Sequence, residues 1–355
     1  MVSQPPLARS GHYNSAADRV AIVVNGNAKQ VTAELVETLD QIVQSGDLFV
    51  SRSLEEGREI ARTIVERGYP TVLTGGGDGT FVQMVSWVVH SAEELQKPFP
   101  RFGLLKLGTG NALAWVLGAQ NPRGRGVVAD LARLRREGGS RQLRLLEVED
   151  RLTPFAGLGA DAIALTYYND TRDAFYRSRW LRHIATGPVV YTVALAGRIV
   201  PKYLLQPTIR VRIINQGAPA IRLGQDGRPV GKPIEAGETI YSGPARLLAF
   251  GTIPYWGFGL RAFPYADERA DRFSLRVVNF GSATVVANIR EIWQGSYRSD
   301  RLHDFLVERM QVQCDEPTPL QIGGDVAGVR QQVNVALSQR PIQVVDYYAP
   351  PPVQV

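Results

Sequence analysis

The sequence holds one cysteine, Cys314, among 355 residues. That excludes an internal disulfide framework and a cysteine-rich metal site. It suits a reducing, cytosolic setting. No run of about 18 apolar residues is present, so no transmembrane helix is expected. The four histidines, His12, His90, His183 and His303, show no metal-ligand spacing. No repeat of solenoid length is visible. Residues 1–17 mix Ser, Pro, Gly, Arg and His without an apolar stretch, so they do not read as a secretory signal. They and residues 351–355 read as flexible tails.

Charge is also in short supply. Charged residues make up 21% of the chain and the formal net charge is +6. That mild excess does not point to nucleic acid. It is compatible with nucleotide phosphates or with peripheral contact at an anionic membrane. A hydrophobic content of 44% is ordinary for a globular protein and is enough for a sizeable core.

Glycine, by contrast, is concentrated where it carries meaning. A β-type run, Thr71-Val72-Leu73-Thr74, leads into Gly75-Gly76-Gly77-Asp78-Gly79-Thr80, and a helix-like stretch follows from Phe81. A strand turning through glycines into a helix presents bare backbone N–H groups at a helix N-terminus, which suits a phosphate. A second such turn, Gly108-Thr109-Gly110-Asn111, follows another short apolar run, residues 102–107.

Strand and helix patterns alternate through the first part of the chain. Strands are expected at 20–24, 47–51, 71–73 and 102–107. Helices are expected at 31–43, 53–67, from 79, at 112–117 and at 127–136. Ser53-Leu54-Glu55-Glu56 fits a capping box. Such alternation implies right-handed crossovers and a parallel sheet covered on both faces. Both glycine turns then lie at carboxyl ends of strands, where such sheets bind ligands. Near residue 141 the pattern changes. β-runs at 142–148, 208–214, 245–251 and 272–278 predict an antiparallel second domain. A basic, aromatic helical insertion, 170–203, interrupts it. That insertion reads as a solvated helix with a packed apolar side or as a helix lying on an anionic bilayer. The expected division is an α/β domain at 18–140, completed by 335–350, and a β-rich domain at 141–334.

The paired turns resemble the catalytic domain of the diacylglycerol kinase family, which includes bacterial lipid kinases and sphingosine and ceramide kinases. Val24-Asn25 is similar to the family's first turn, with Gly26 in place of its proline. The segments from Ala156 to Ala162 and from Gly257 to Ala266 resemble two later motifs. The resemblance implies a Rossmann-like N-terminal domain, a β-sandwich second domain and an ATP cleft between them. It implies that Gly75, Gly76, Gly77, Asp78, Gly79 and Thr80 form the phosphate loop, with Asn25, Thr109 and Asn111 completing the nucleotide site. Asp78 would orient that loop, or Mg²⁺ through water; the plainer alternative is a residue capping its own helix. Asp271 would serve a structural metal or an ion-pair network.

Two departures from the family pattern stand out. Ala112 occupies the position of an acid after the second turn. Near the C-terminus Gly323 stands where the family carries its general base, and Asp325 stands where it carries a glutamate. Asp325 is either the replacement base or an exposed turn carboxylate. The implied activity is transfer of the γ-phosphoryl of ATP to a lipid hydroxyl, of diacylglycerol-like or sphingoid type. The alternative is a nucleotide- and lipid-binding pseudokinase of the same fold. A homodimer is left open.

Overall fold

The computed structural model describes residues 19–28, 31–42, 47–107, 112–119, 126–135, 139–160, 162, 208–257 and 259–348. Two sheets organise them. The first has six strands in the order β2-β1-β3-β4-β17-β5. These are β1 (Val20–Asn25), β2 (Leu48–Ser51), β3 (Thr71–Gly76), β4 (Arg101–Lys106), β5 (Gly139–Leu143) and β17 (Ile342–Asp346). All pairs are parallel except β17 with the edge strand β5. The strands run apolar and buried, as a sheet covered on both faces requires. Between them lie α1 (Ala33–Ile42), α2 (Leu54–Glu66), α3 (Asp78–Glu94), α4 (Ala112–Leu117) and α5 (Gly126–Arg135).

The start of α2 shows how local chemistry sets an element. Ser53 is the N-cap, and its Oγ accepts the N–H of Glu56 at 3.1 Å. The Glu56 carboxylate accepts the N–H of Arg52 at 2.6 Å, one residue further back than the usual capping box reaches. The cap therefore also fixes the chain leaving β2.

The second sheet is antiparallel and has eleven strands. They are β6 (Leu146–Val148), β7 (Arg151–Thr153), β8 (Phe155–Gly159), β9 (Ile209–Asn215), β10 (Ile221–Leu223), β11 (Thr239–Ala245), β12 (Leu247–Gly251), β13 (Phe273–Val278), β14 (Leu302–Val307), β15 (Arg309–Ile322) and β16 (Asp325–Leu337). Two short helices, α6 (Ser282–Ala287) and α7 (Ile289–Gln294), follow β13. The expected β-sandwich is one hydrogen-bonded sheet here. The long strand β15 joins its branches: the first half pairs with β9 and the last residues pair with β8, with register shifts between. Apolar side chains from both branches, among them Ile213, Phe250, Phe273 and Val312, share one core.

The expected single β-run at 142–148 is two strands in different sheets. The chain crosses at Arg144-Leu145, where the Leu145 N–H donates to Ser338 Oγ at 3.1 Å. The Ser338 N–H in turn donates to the Leu145 carbonyl at 2.8 Å. The outgoing and returning connections are thus stitched together. β5 stays in the first sheet and β17 returns to it, so that sheet is closed by the C-terminal segment. The helical insertion expected at 170–203 lies outside the described residues.

Arg276 on β13 and Asp304 on β14 face each other across the antiparallel pair and form a buried two-pronged ion pair at 2.7 and 3.0 Å. Removing one partner strands the other charge, at a cost of about 3–5 kcal/mol. Asp304→Asn should therefore lower the thermal unfolding midpoint clearly, while a paired Arg276→Met, Asp304→Leu variant should recover much of the loss. Calorimetry on both variants checks this; equal melting of Asp304→Asn and the parent would contradict it.

Candidate active site

The glycine turn between β3 and α3 forms as the sequence predicts. Gly77 is the N-cap of α3 and offers no side-chain cap. The first N–H groups of such a helix have no intrahelical acceptor and carry the positive end of the helix dipole. Gly76 lets the helix come close: a Cβ there would lie 2.6 Å from Thr80 Oγ1. Asn25 ends β1 beside this turn, and its Nδ2 donates to Thr80 Oγ1 at 3.3 Å. Its Oδ1 accepts the N–H of Asn27 at 2.9 Å.

The order β2-β1-β3-β4 reverses direction at the β1/β3 boundary, the place where open parallel sheets bind ligands. A cavity of about 210 Å³ lies there, lined in part by Asn25, Ser51, Arg52, Thr80, Met84 and Trp87. That volume is below the usual size of a small-molecule pocket, so it would take one end of a nucleotide rather than the whole.

Asp78 is the first residue of α3 and is buried. Its Oδ2 accepts the N–H of Ala112 at 2.6 Å and its Oδ1 accepts the N–H of Leu113 at 2.9 Å. It therefore caps the start of α4, not its own helix. Burial pushes its carboxyl upward, and the Leu113 and Ala112 N–H donors oppose that shift. Of the two roles expected for Asp78, loop orientation is the one its contacts display. Each of its two oxygens is engaged by one backbone donor. At position 112 the backbone N–H of Ala112 takes part in the site, where the family pattern has an acid side chain.

Asp325 comes to the same place from the second sheet. Gly323 and Gly324, with φ of +61° and +89°, form the two-residue turn of the β15–β16 hairpin. Two successive left-handed residues are what a type I′ hairpin turn demands. The Gly323 N–H donates to the Phe155 carbonyl at 3.0 Å, and the Gly324 N–H to Gln321 Oε1 at 2.9 Å. The turn sets Asp325 against the start of α3: a Cβ placed on Gly79 would lie 3.4 Å from Asp325 Oδ2. Asp325 keeps solvent access, yet desolvation raises its carboxyl, opposed by Arg151.

Asp271 sits in an ion-pair network. Its carboxylate is taken by Arg269 at 2.8 and 2.9 Å and by Arg272 at 2.9 Å, which hold it below the usual carboxylate range. Of the two roles expected for Asp271, the ion-pair network is the one its contacts display. Among the described residues no group of three His, Cys, Asp or Glu side chains is placed to bind a metal ion. Thr109 and Asn111 lie outside the described residues, as do Asp161 and the rest of the second turn. Sequence reasoning missed Ser51, Arg52 and Trp87, which carry no motif and reach the cavity from the end of β2, the β2–α2 turn and the face of α3 that also carries Thr80 and Met84.

A strand–glycine–helix turn at a sheet switch point, met by a hairpin from an antiparallel sheet, is the arrangement this α/β fold presents. Residues 19–147 match the family model of the diacylglycerol kinase catalytic domain, as the motifs implied. The "Probable lipid kinase YegS-like" of Chromohalobacter salexigens is 32% identical over 100 residues, 27% of this chain and 31% of that protein. The match thus spans about a third of that curated relative's length. Beyond the matched segment the fold itself is shared. The structure of a diacylglycerol kinase from Bacillus anthracis Sterne superposes with a TM-score of 0.57 at 14% identity, covering 93% of this chain and 97% of that one.

Asp78→Ala leaves the N–H groups of Ala112 and Leu113 without their acceptor, at about 1–3 kcal/mol for each such group. The variant should unfold at lower temperature and bind ATP more weakly than the parent. Thermal unfolding and titration calorimetry check this; unchanged values in both would contradict the role given to Asp78.

Proposed function

We propose that the protein is an ATP-dependent lipid kinase, passing the γ-phosphoryl to a hydroxyl of a diacylglycerol-like or sphingoid lipid. The observation that carries the reading is the meeting of Asp325 with the N-terminus of α3 at the sheet's switch point. A phosphate-binding helix end and a carboxylate able to receive a proton come together there. The match of residues 19–147 to the diacylglycerol kinase catalytic domain supports a lipid as the acceptor.

ATP fits the residues present. The N–H groups at the start of α3 would hold phosphate oxygens, with Gly76, Gly77 and Gly79 leaving the approach clear, while Gly75 lets the strand pack against Val24 and Leu107. Thr80, with Asn25 behind it, would anchor the loop. Thr109 and Asn111 would complete the nucleotide site from the second turn. Asp325 would accept the proton of the lipid hydroxyl as it attacks the γ-phosphorus. Phosphoryl transfer through a loose transition state depends mostly on positioning and charge neutralisation. Mg²⁺ prefers carboxylate, phosphate and water oxygens. With Asp78 engaged in the loop, the ATP phosphates and water would supply most of its ligands. The protein would act in the cytoplasm, in peripheral contact with the membrane that holds its substrate.

Purified protein given ATP·Mg²⁺ labelled at the γ-phosphate and mixed lipid vesicles should yield labelled lipid. Label that stays in ATP while nucleotide binds would favour the pseudokinase alternative. A base must be ionised to act, and the Asp325 carboxyl is raised. The acidic limb of the pH–rate profile should therefore lie above the ordinary carboxylate range, with activity rising as pH rises through it. Asp325→Asn should abolish that limb and lower kcat by about 10²–10⁴-fold. An unchanged profile would remove Asp325 from the mechanism.

A further inference from the structure

Lys106 is the last residue of β4, two positions before Gly108 of the second turn. Its Cα is in register with Gly76. Asn25 is in register with Ser51, and Val24 with Gly75. Ser51, Asn25, Gly76 and Lys106 therefore form one row across four strands at the carboxyl edge of the sheet. In-register residues of parallel strands project to the same face. On Gly76 that face is the one Thr80 fills, whereas a Cβ on Gly75 would meet Val24 and Leu107 on the other face. Lys106 thus emerges on the side that carries Asn25, Thr80 and the start of α3.

The Lys106 ammonium stands 5.0 Å from the ring centroid of Trp115 on α4. Among the described residues it has no carboxylate within ion-pair distance. Trp115 is itself 45% exposed. The plain alternative is a surface lysine covering an exposed ring. Its place in the row argues otherwise, as does the charge of its surroundings. Asp78 and Asp325, the two acids at the start of α3, would repel a triphosphate, and the rest of the row is neutral. Two other cations lie near among the described residues: Arg52, in the turn after β2, lines the cavity at the far end of the row, and Arg151 on β7 faces Asp325.

Resting on the nucleotide reading of this site, the geometry points to Lys106 as the cation that neutralises the phosphates of the bound nucleotide, with Trp115 as its positioning residue. A lysine is a flexible point charge, and the face of an indole ring restricts it at little cost. Arg52 and Lys106 then flank the phosphate loop from opposite ends of the row.

The test is titration calorimetry on the full chain with ATP·Mg²⁺, ADP and adenosine as probes. Lys106→Gln should weaken ATP and ADP by about tenfold or more, as loss of a charged hydrogen bond does. Adenosine affinity should not move. Lys106→Arg should retain most of the ATP affinity, and Trp115→Leu should fall between. Equal ATP affinity in Lys106→Gln and the parent would overturn the assignment to Lys106 alone. An equal loss for adenosine would also overturn it, since the residue would then act on the fold or the nucleoside. If the parent itself binds neither ATP nor ADP, the nucleotide reading fails and this inference with it.

Discussion

The site depends on one carboxylate. Asp78 begins α3, and its two oxygens are spent on the N–H groups that begin α4. Two helices that follow different strands are thereby started from a common point. The interaction is buried, and an ionised carboxylate with two backbone donors is the arrangement that offsets the cost of burying it. It explains why an acid stands inside a turn otherwise built from glycine. The glycines let strand and helix approach closely, and the acid ties the start of α4 to the start of α3.

The rest of the architecture brings the second sheet to that point. Ser338 ties the outgoing and returning connections together at Leu145. From there β15 and β16 extend as one long hairpin whose tip, Gly323-Gly324, bonds to Phe155 and Gln321 and delivers Asp325 to Gly79. The loss of an acid at position 323 follows the same logic. A left-handed residue is needed there, and a Cβ would stand 3.0 Å from Thr153 Oγ1. The acid sits two residues on, where the strand conformation is ordinary.

The α/β part was legible from the sequence because its signals are local. Buried strands read as short apolar runs, Ser53 announces α2, and glycines mark the strand ends. The second sheet was legible only as a change of pattern. Two of the partners of β15, β8 and β9, are separated from it by long stretches of chain, and no local period shows that one strand serves two branches. The break between β5 and β6 was invisible for the same reason: Leu143, Leu145 and Leu146 read as one apolar run, and only Ser338, far along the chain, separates them. Within the site, Asp78 was found by motif, but its partners were not, since backbone N–H groups leave no trace in a sequence. The ion pairs of Asp271 with Arg269 and Arg272 could be foreseen only as one of two roles, because neighbours in sequence need not turn their side chains together.

Under the proposed function, both glycine turns grip one nucleotide at the switch point of the first sheet, with Asp78 joining the starts of α3 and α4. A crystal structure of the protein soaked with ADP tests it most directly. The account predicts phosphate oxygens against the N–H groups at the start of α3, with Asp78 still bonded to residues 112 and 113. Nucleotide bound elsewhere, or an Asp78 side chain turned away from α4 in the complex, would contradict it.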